Sequence, residues 1–419
     1  MDGDQALGGF SSEGLAAIPP GLEAVAKAGD LSGFVTLVWR KGEVAQVNTI
    51  GHRDVEAGLP MTRDTMFRIA SMTKPITSVA ALMLIDDGKL RLDDPISKWL
   101  PEFADMKVLK APDGPLDQVV PAAREITVED LFTHRSGIAY AFTSTGPIAK
   151  AHEEALGPPF HAVHGPDAWL KRLGALPLSF QPGERFHYGH STDVLGLLAG
   201  RVAGMSYRDL IMERILGPLG MKDTDFWCPP EKRDRMAKLY RIDPKTDQRQ
   251  DVSFPHLDAP PAFCEGGGGL ISTADDYLAF ASMLIGGGEL NGRRYLKPET
   301  VKLMRTNRLT EEQRAIPFLG MPFWLGQGFG LGVSVVMDPA KQAWMGAGSE
   351  GSFGWPGIFG TWWQGDPSED MIMIYLIQNS SPVGPEAVAA MASGARMGGR
   401  LALPMFQKGV YAALGKTFA

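Results

Sequence analysis

The chain has 419 residues, of which 44% are hydrophobic and 21% charged, a balance typical of a globular protein rather than a disordered or fibrous one. Its length exceeds what one hydrophobic core usually supports, so we expect two subdomains. The net charge of −7, without a basic run, argues against nucleic acid as a partner.

The N-terminal region up to residue 16 is acidic and rich in glycine and serine, and it lacks the basic start and apolar run of a secretory signal. No stretch of about 18 apolar residues follows that could span a membrane. We therefore expect a cytoplasmic protein without a membrane partner. The two cysteines, Cys228 and Cys264, are most simply interpreted as buried thiols, and a disulfide between them is the alternative.

The first predicted elements are a helix over 21–28 and a β-hairpin. The hairpin strands are 34–39 and 44–49, and the polar segment 40–43 connects them.

A buried helix with a serine at its start follows the hairpin. Pro75 fits only a first turn, which places the helix start near Ser71, and Gly88 is a typical C-terminal stop. Residues 76–85 are apolar on nearly every side, as in a helix that is buried all round. Ser71 and Lys74 are three residues apart and therefore share one helix face.

Ser71 and Lys74 have the chemistry of a nucleophile and its base. The helix dipole and burial both disfavour a charged amine in the first turn, and an uncharged Lys74 can take the proton of Ser71. The unpaired N–H groups of that turn suit an oxyanion. The tetrapeptide alone is a weak signal, because about one Ser-x-x-Lys is expected by chance in a chain of this size. A surface lysine after a capping serine is the alternative.

The middle of the chain, about 70–290, is mostly helical by pattern. Thr127 and Asp130 are close to a capping box for a short helix that ends at His134. His134 could act as a base, although a histidine at a helix end usually hydrogen-bonds a free carbonyl. The irregular segment 138–170 is typical of a loop that borders a cleft. Its histidines are spaced too loosely for a metal site: His152, His161 and His164.

Two further motifs do not indicate chemistry. The glycine run 266–269 could cradle a phosphate, but no Gly-Lys-Ser/Thr follows it, so close backbone packing is favoured. Ser349, in 347–351, lies in a faint copy of a nucleophile elbow whose first glycine is absent. We expect neither a metal nor an organic cofactor.

The end of the chain returns to β-pattern. Strands are predicted over 328–336, 358–364 and 371–378, and a helix over 385–414. The simplest assembly is an α+β fold in which the two terminal β regions form one antiparallel sheet flanked by terminal helices. The predicted division is 1–69 plus 291–419 for the sheet subdomain and 70–290 for a mostly helical insert, with the active site in the cleft between them.

Three motifs in this order give the chain a family resemblance. They are 71–74 (Ser-Met-Thr-Lys), 188–190 (Tyr-Gly-His) followed by Asp193, and 355–360 (Trp-Pro-Gly-Ile-Phe-Gly). With them the chain resembles the serine β-lactamase and penicillin-binding-protein superfamily over roughly 30–380. Within it, the chain is most similar to the carboxylesterases related to class C β-lactamases, the family VIII esterases.

Two departures from class C β-lactamases bear on the substrate. His190 stands where those enzymes carry asparagine, and Trp355 stands where they carry the lysine of Lys-Thr-Gly. Loss of that lysine removes a cation for a substrate carboxylate, and an aromatic ring in its place favours an apolar, uncharged substrate.

The resemblance implies roles for particular residues. Ser71 is the expected nucleophile, and Lys74 with Tyr188 its expected base, with the initial base left open. The backbone N–H groups of Ser71 and Ile358 are the expected oxyanion hole. Four residues are expected to contact the substrate: Trp355, Gly357, Phe359 and His190.

The predicted function is therefore a serine carboxylesterase that hydrolyses short-chain acyl esters, with a small-molecule ester as its partner. The alternatives are an acyltransferase of the same fold, a weak β-lactamase or D-Ala peptidase, and a member that binds a ligand without catalysis.

Overall fold

The computed structural model describes residues 7–158, 160, 163–243, 246–382 and 398–418. His161 and the first part of the predicted helix 385–414, up to residue 397, lie outside the described residues. Both cysteines are free thiols, Cys228 buried and Cys264 partly exposed.

The strands, in chain order, are β1 (Gly33–Arg40), β2 (Glu43–Asp54), β3 (Leu59–Pro60), β4 (Phe67–Arg68), β5 (Lys107–Leu109), β6 (Val119–Pro121), β7 (Tyr240–Ile242), β8 (Arg249–Asp251), β9 (Ile271–Ser272), β10 (Glu289–Leu290), β11 (Arg293–Arg294), β12 (Gln327–Phe329), β13 (Ser334–Val336), β14 (Phe353–Gly354), β15 (Trp362–Asp366) and β16 (Met371–Leu376).

The helices are α1 (Ser12–Ala16), α2 (Ile18–Lys27), α3 (Thr73–Asp86), α4 (Val128–Phe132), α5 (Pro147–Leu156), α6 (Pro166–Gly174), α7 (Ser191–Ala203), α8 (Tyr207–Ile211), α9 (Gly217–Leu219), α10 (Ala274–Ile285), α11 (Pro298–Met304), α12 (Glu311–Arg314), α13 (Pro339–Gln342) and α14 (Gly398–Ala412). Residues 212–216 continue α8 as a π-helical turn.

The main sheet joins the two ends of the chain. Its order is β12-β13-β14-β15-β16-β1-β2-β3, and β1 and β16 pair antiparallel with Val35 opposite Leu376. Successive side chains of a strand face opposite sides. Val35 and Leu37 accordingly pack into the core shared with α3 and α10, whereas Phe34 and Val38 face α2 and α14. The predicted α+β fold, with a sheet flanked by terminal helices, is confirmed.

Two predicted strands are shorter than expected because tight turns interrupt them. The segment 328–336 is a hairpin of β12 and β13, and Gly332 between them has a φ of +88°. A Cβ at Gly332 would lie 2.0 Å from the Ser78 Oγ, so only glycine lets this hairpin touch α3. The predicted strand 358–364 begins only at Trp362, because Gly357 and Thr361 close a turn before it.

The buried helix α3 lies between the sheet and the other helices and positions the site. Every residue from Thr73 to Leu84 is buried, and the helix packs against α7 and α8. The helix begins two residues later than predicted, because residues 70–72 form a 3₁₀ turn that carries Ser71. It ends near Gly88, as predicted. No helix in the described ranges is both long and apolar enough to cross a membrane.

Candidate active site

Ser71 lies on a constrained turn directly before α3. The preceding residue, Ala70, has a φ of +44°, which is costly for a residue with a Cβ. Neighbouring segments hold the turn, since the Ile69 N–H donates to the Leu270 carbonyl and the Thr361 hydroxyl donates to the Ile69 carbonyl. The serine itself is partly exposed, so its hydroxyl is accessible to a ligand while its backbone is fixed.

Lys74 is fully buried and its amine lies among three oxygen atoms. The Nζ is 3.1 Å from the Ser71 Oγ, 2.5 Å from the Gly267 carbonyl oxygen and 3.3 Å from the Tyr140 hydroxyl. The amine and the Ser71 hydroxyl are thus within hydrogen-bond distance, so a proton can pass directly between them.

Tyr188 reaches Ser71 from a loop 117 residues further along the chain. Its hydroxyl donates to the Ser71 Oγ at 2.8 Å, and its ring lies 4.6 Å from the Lys74 Nζ. The indole N–H of Trp355 donates to the same phenolic oxygen at 3.1 Å. The structure therefore brings Ser71, Lys74 and Tyr188 together, and it uses Trp355 to orient the phenol.

His134 supports the Tyr188 loop. Its Nδ1 accepts the Gly189 N–H at 3.4 Å, and its Nε2 lies 3.3 Å from the Thr192 hydroxyl. Burial, and then the charge of Lys74, hold the pKa of His134 well below its ordinary value. A neutral imidazole packed against Tyr188, with a ring separation of 4.6 Å, fits a structural role.

Asp193 organises the polar side of the site, and our sequence analysis assigned it no role. Its carboxylate is buried and accepts the Gly267 N–H at 2.6 Å and a bond from the His190 Nδ1 at 2.8 Å. Gly267 in turn accepts the Lys74 amine. The carboxylate thus fixes the lysine through a single residue, Gly267. The sequence feature that could have identified Asp193 is an acidic residue in the first turn of a mostly apolar helix, five residues after Tyr188.

Tyr140 is a second residue that the sequence analysis missed. Its hydroxyl lies between the Lys74 amine at 3.3 Å and the Asp193 carboxylate at 3.5 Å. Burial, and then the charge of Asp193, hold its pKa well above the ordinary value, so the phenol keeps its proton. The irregular segment 138–170 concealed it, because no periodicity marks a single aromatic residue in a loop.

His190 is separated from the reacting atoms by one side chain, that of Tyr140. It packs against the Tyr140 ring at 4.3 Å and bonds Asp193, and it makes no hydrogen bond to Ser71 among the described residues. Its predicted contact with substrate therefore stays a prediction, and the geometry places it behind Tyr140.

The loop 355–361 brings the second predicted oxyanion donor next to the Ser71 turn. The Gly357 N–H donates to the Thr361 carbonyl, and the Thr361 hydroxyl donates to the Ile69 carbonyl. A Cβ at Gly357 would lie 2.4 Å from the Ile69 carbonyl oxygen, so glycine is needed for this approach. Within the described residues the Ile358 N–H has no acceptor in the protein, which leaves it available to a ligand oxygen.

Apolar side chains surround the site on two sides. Tyr188 and Trp355 belong to a mostly aromatic cluster: Phe186, Tyr188, Leu309, Trp324, Phe329 and Trp355. Phe359 packs with Ala70 and Phe160 in a second cluster and lines a cavity of about 30 Å³. Trp355 thus contacts the base, and Phe359 contacts the cavity.

Comparisons with known proteins agree with this architecture. The sequence model of the Beta-lactamase family matches residues 22–395. Protein Rv1367c of Mycobacterium tuberculosis is 50% identical over 94% of this chain and 98% of its own. Esterase EstB of Burkholderia gladioli is 31% identical over 80% of this chain and 82% of its own.

Among solved structures, EstCE1, described as a hydrolase with promiscuous acyltransferase activity, superposes with a TM-score of 0.76. Its sequence is 26% identical, and the match covers 95% of this chain and 99% of that one. The chain belongs to the Beta-lactamase family, within the serine β-lactamase and penicillin-binding-protein superfamily that includes esterases.

Proposed function

We propose that this protein is a carboxylesterase that hydrolyses short-chain acyl esters through an acyl-enzyme on Ser71. The observation that carries the proposal is the position of the Ser71 Oγ, 3.1 Å from a buried amine and 2.8 Å from a phenol. Groups that can exchange a proton with a serine hydroxyl at these distances can activate it as a nucleophile. The likeness to EstB supports an ester as substrate.

In the proposed reaction the Ser71 Oγ bonds to the ester carbonyl carbon and gives its proton to the Lys74–Tyr188 pair. The N–H groups of Ser71 and Ile358 hold the oxyanion. Collapse breaks the bond to the alkoxy oxygen, which takes the proton and leaves as the alcohol. Water then adds to the acyl carbon, its proton passes through the same pair to the Ser71 Oγ, and the carboxylic acid departs.

Replacement of Ser71 by alanine tests the assignment. We expect Ser71→Ala to lose turnover of 4-nitrophenyl esters from acetate to decanoate, with a nearly unchanged melting temperature because the side chain is partly exposed. Ser349→Ala is the matched control and should keep full activity. Full activity of Ser71→Ala would refute the nucleophile, and loss in Ser349→Ala alone would relocate it.

Acyl transfer to an alcohol is the second candidate, because EstCE1 combines the two activities. Apolar rings at Trp355 and Phe359 border the site, and such walls favour an organic acceptor over water. The measurement is the ratio of ester to acid formed from 4-nitrophenyl butyrate as an added alcohol is raised. Nitrocefin turnover, measured beside it, ranks the β-lactamase alternative.

A further inference from the structure

A half-buried arginine faces the cavity beside the Ser71 turn. Arg68 lies three residues before Ser71 and lines this cavity together with Phe359 and Gly268. Its backbone is fixed, since the Arg68 N–H donates to the Gln378 side chain and the Arg68 carbonyl accepts from it. The guanidinium lies 5.4 Å from the ring centroid of Phe254.

Within the described residues, the Arg68 side chain makes neither an ion pair nor a hydrogen bond. Nearby arginines are paired: Arg233 with Asp258, and Arg235 with Asp223. Charged groups taken out of water are normally paired, because an isolated charge loses hydration without compensation. The cost is visible here, since burial lowers the pKa of Arg68. An arginine kept in this state, three residues before a nucleophile, is suited to a ligand's anion.

The only acidic side chain lining this described cavity is Glu265, and it does not neutralise Arg68. Its carboxylate accepts the Phe160 N–H at 3.2 Å and forms no ion pair with the guanidinium. Burial, and then the charge of Asp193, raise the pKa of Glu265 to about 8, so the carboxyl is mostly protonated at neutral pH. The cavity therefore keeps a net positive charge.

We propose that Arg68 binds a carboxylate carried by the substrate, so that the preferred ester is acidic. This proposal rests on the proposed esterase function and revises the expectation of an uncharged substrate. Trp355 supplies no cation, but Arg68 supplies one at the cavity that Phe359 lines. Arginine suits this role because its planar fork binds both carboxylate oxygens. Three residues place the Cα atoms of Arg68 and Ser71 within about 10 Å of each other.

The test compares matched acidic and neutral esters. One pair varies the acyl half, 4-nitrophenyl hemiglutarate against 4-nitrophenyl methyl glutarate. The other varies the alcohol half, the butyrate ester of 4-hydroxybenzoate against that of its methyl ester. We expect the wild type to favour the acidic member of one pair, and Arg68→Gln to reduce that kcat/KM ratio about tenfold or more. Arg68→Lys should keep part of the preference.

Arg233→Gln is the matched control, because this arginine is nearby but paired, and it should leave both ratios unchanged. A purely structural role of Arg68 would lower both members of a pair equally, and that result, or unchanged ratios in both pairs, would overturn the proposal. If the wild type hydrolyses none of these esters, the esterase function fails. Calorimetric binding of each acidic and neutral ester to Ser71→Ala, with and without Arg68→Gln, then still decides the carboxylate site.

Discussion

The two sides of Ser71 are built in different ways. On the aromatic side, Tyr188 is held by ring contacts with Phe186 and Phe318. The Trp355 indole donates a hydrogen bond to its phenol, and the Thr143 hydroxyl donates one to its backbone carbonyl. On the polar side, Lys74 is held by a chain of short hydrogen bonds through Gly267 to a buried carboxylate.

Ring packing is spread over many weak contacts, and the loss of one contact is shared by the others. A buried hydrogen-bond chain behaves differently, because removal of one partner leaves the next group unsatisfied. We therefore expect single substitutions on the polar side to cost more activity than those on the aromatic side.

Asp193→Asn is the strongest test of the polar side. The amide has one acceptor oxygen where the carboxylate has two, so it cannot keep all the bonds from Gly267, His190 and Tyr140, and the support of the Lys74 amine is weakened. Loss of a buried acceptor costs about 1–3 kcal/mol, which corresponds to a fall in kcat of about 5- to 150-fold. The measurement is kcat and its pH profile, and we expect kcat to change more than KM.

Asp276→Asn is the matched control for that substitution. Asp276 is also buried and accepts a backbone N–H, that of Asp223, at 2.8 Å, but it lies on α10 and bonds none of the site residues. It should lower the melting temperature comparably while kcat stays within about twofold. Equal losses of kcat in the two variants would show that Asp193 acts through stability alone.

On the aromatic side, Trp355→Phe removes the indole donor and keeps a ring in the cluster. One neutral hydrogen bond contributes about 0.5–1.5 kcal/mol, so we expect kcat to fall about 2- to 12-fold. Trp324→Phe is the control, because Trp324 belongs to the same cluster and bonds neither Ser71 nor Tyr188 among the described residues. A loss for Trp355→Phe as large as that for Asp193→Asn would remove the asymmetry.

The sequence revealed the aromatic side and the nucleophile better than the polar side. Pro75, Gly88 and the apolar run between them determine α3 locally, and the motifs around Ser71 and Tyr188 are short and contiguous in sequence. The sheet followed from alternating patterns at both ends of the chain. These features depend on short sequence segments, in which periodicity and turn-forming residues are informative.

The remaining features of the site depend on contacts between segments that are distant in the sequence. The pairing of Asp193 with Gly267 and the position of Tyr140 arise only when α7, the glycine run and the 138–170 loop meet. The run 266–269 was expected to pack closely, and it does, but its carbonyl at Gly267 also holds Lys74. Turns at Gly332 and Gly360 interrupt two predicted strands, because their positive φ values follow tertiary contacts rather than local pattern.

The smallest expected effect concerns the pH dependence of stability, which should arise on the polar side. Glu265 has a pKa of about 8 in the folded protein, against 4.5 as its ordinary value. Between these pH values the folded state binds one more proton than the unfolded state, so the free energy of unfolding decreases as the pH rises. Glutamine cannot ionise, so Glu265→Gln removes this loss.

We expect the melting temperature of Glu265→Gln to exceed that of the wild type by about 2–4 °C at pH 8, with the difference shrinking towards pH 5. Glu312→Gln is the control, because Glu312 is exposed at the start of α12 and its pKa is lowered rather than raised, by hydrogen bonds to the backbone and Thr310. It should not raise the melting temperature at pH 8. A melting-temperature difference between Glu265→Gln and the wild type that stays constant across this range would mean that Glu265 ionises normally. The difference grows with pH only if the folded state binds a proton on Glu265 that the unfolded state has lost. The net positive charge inferred for the Arg68 cavity would then be lost as well.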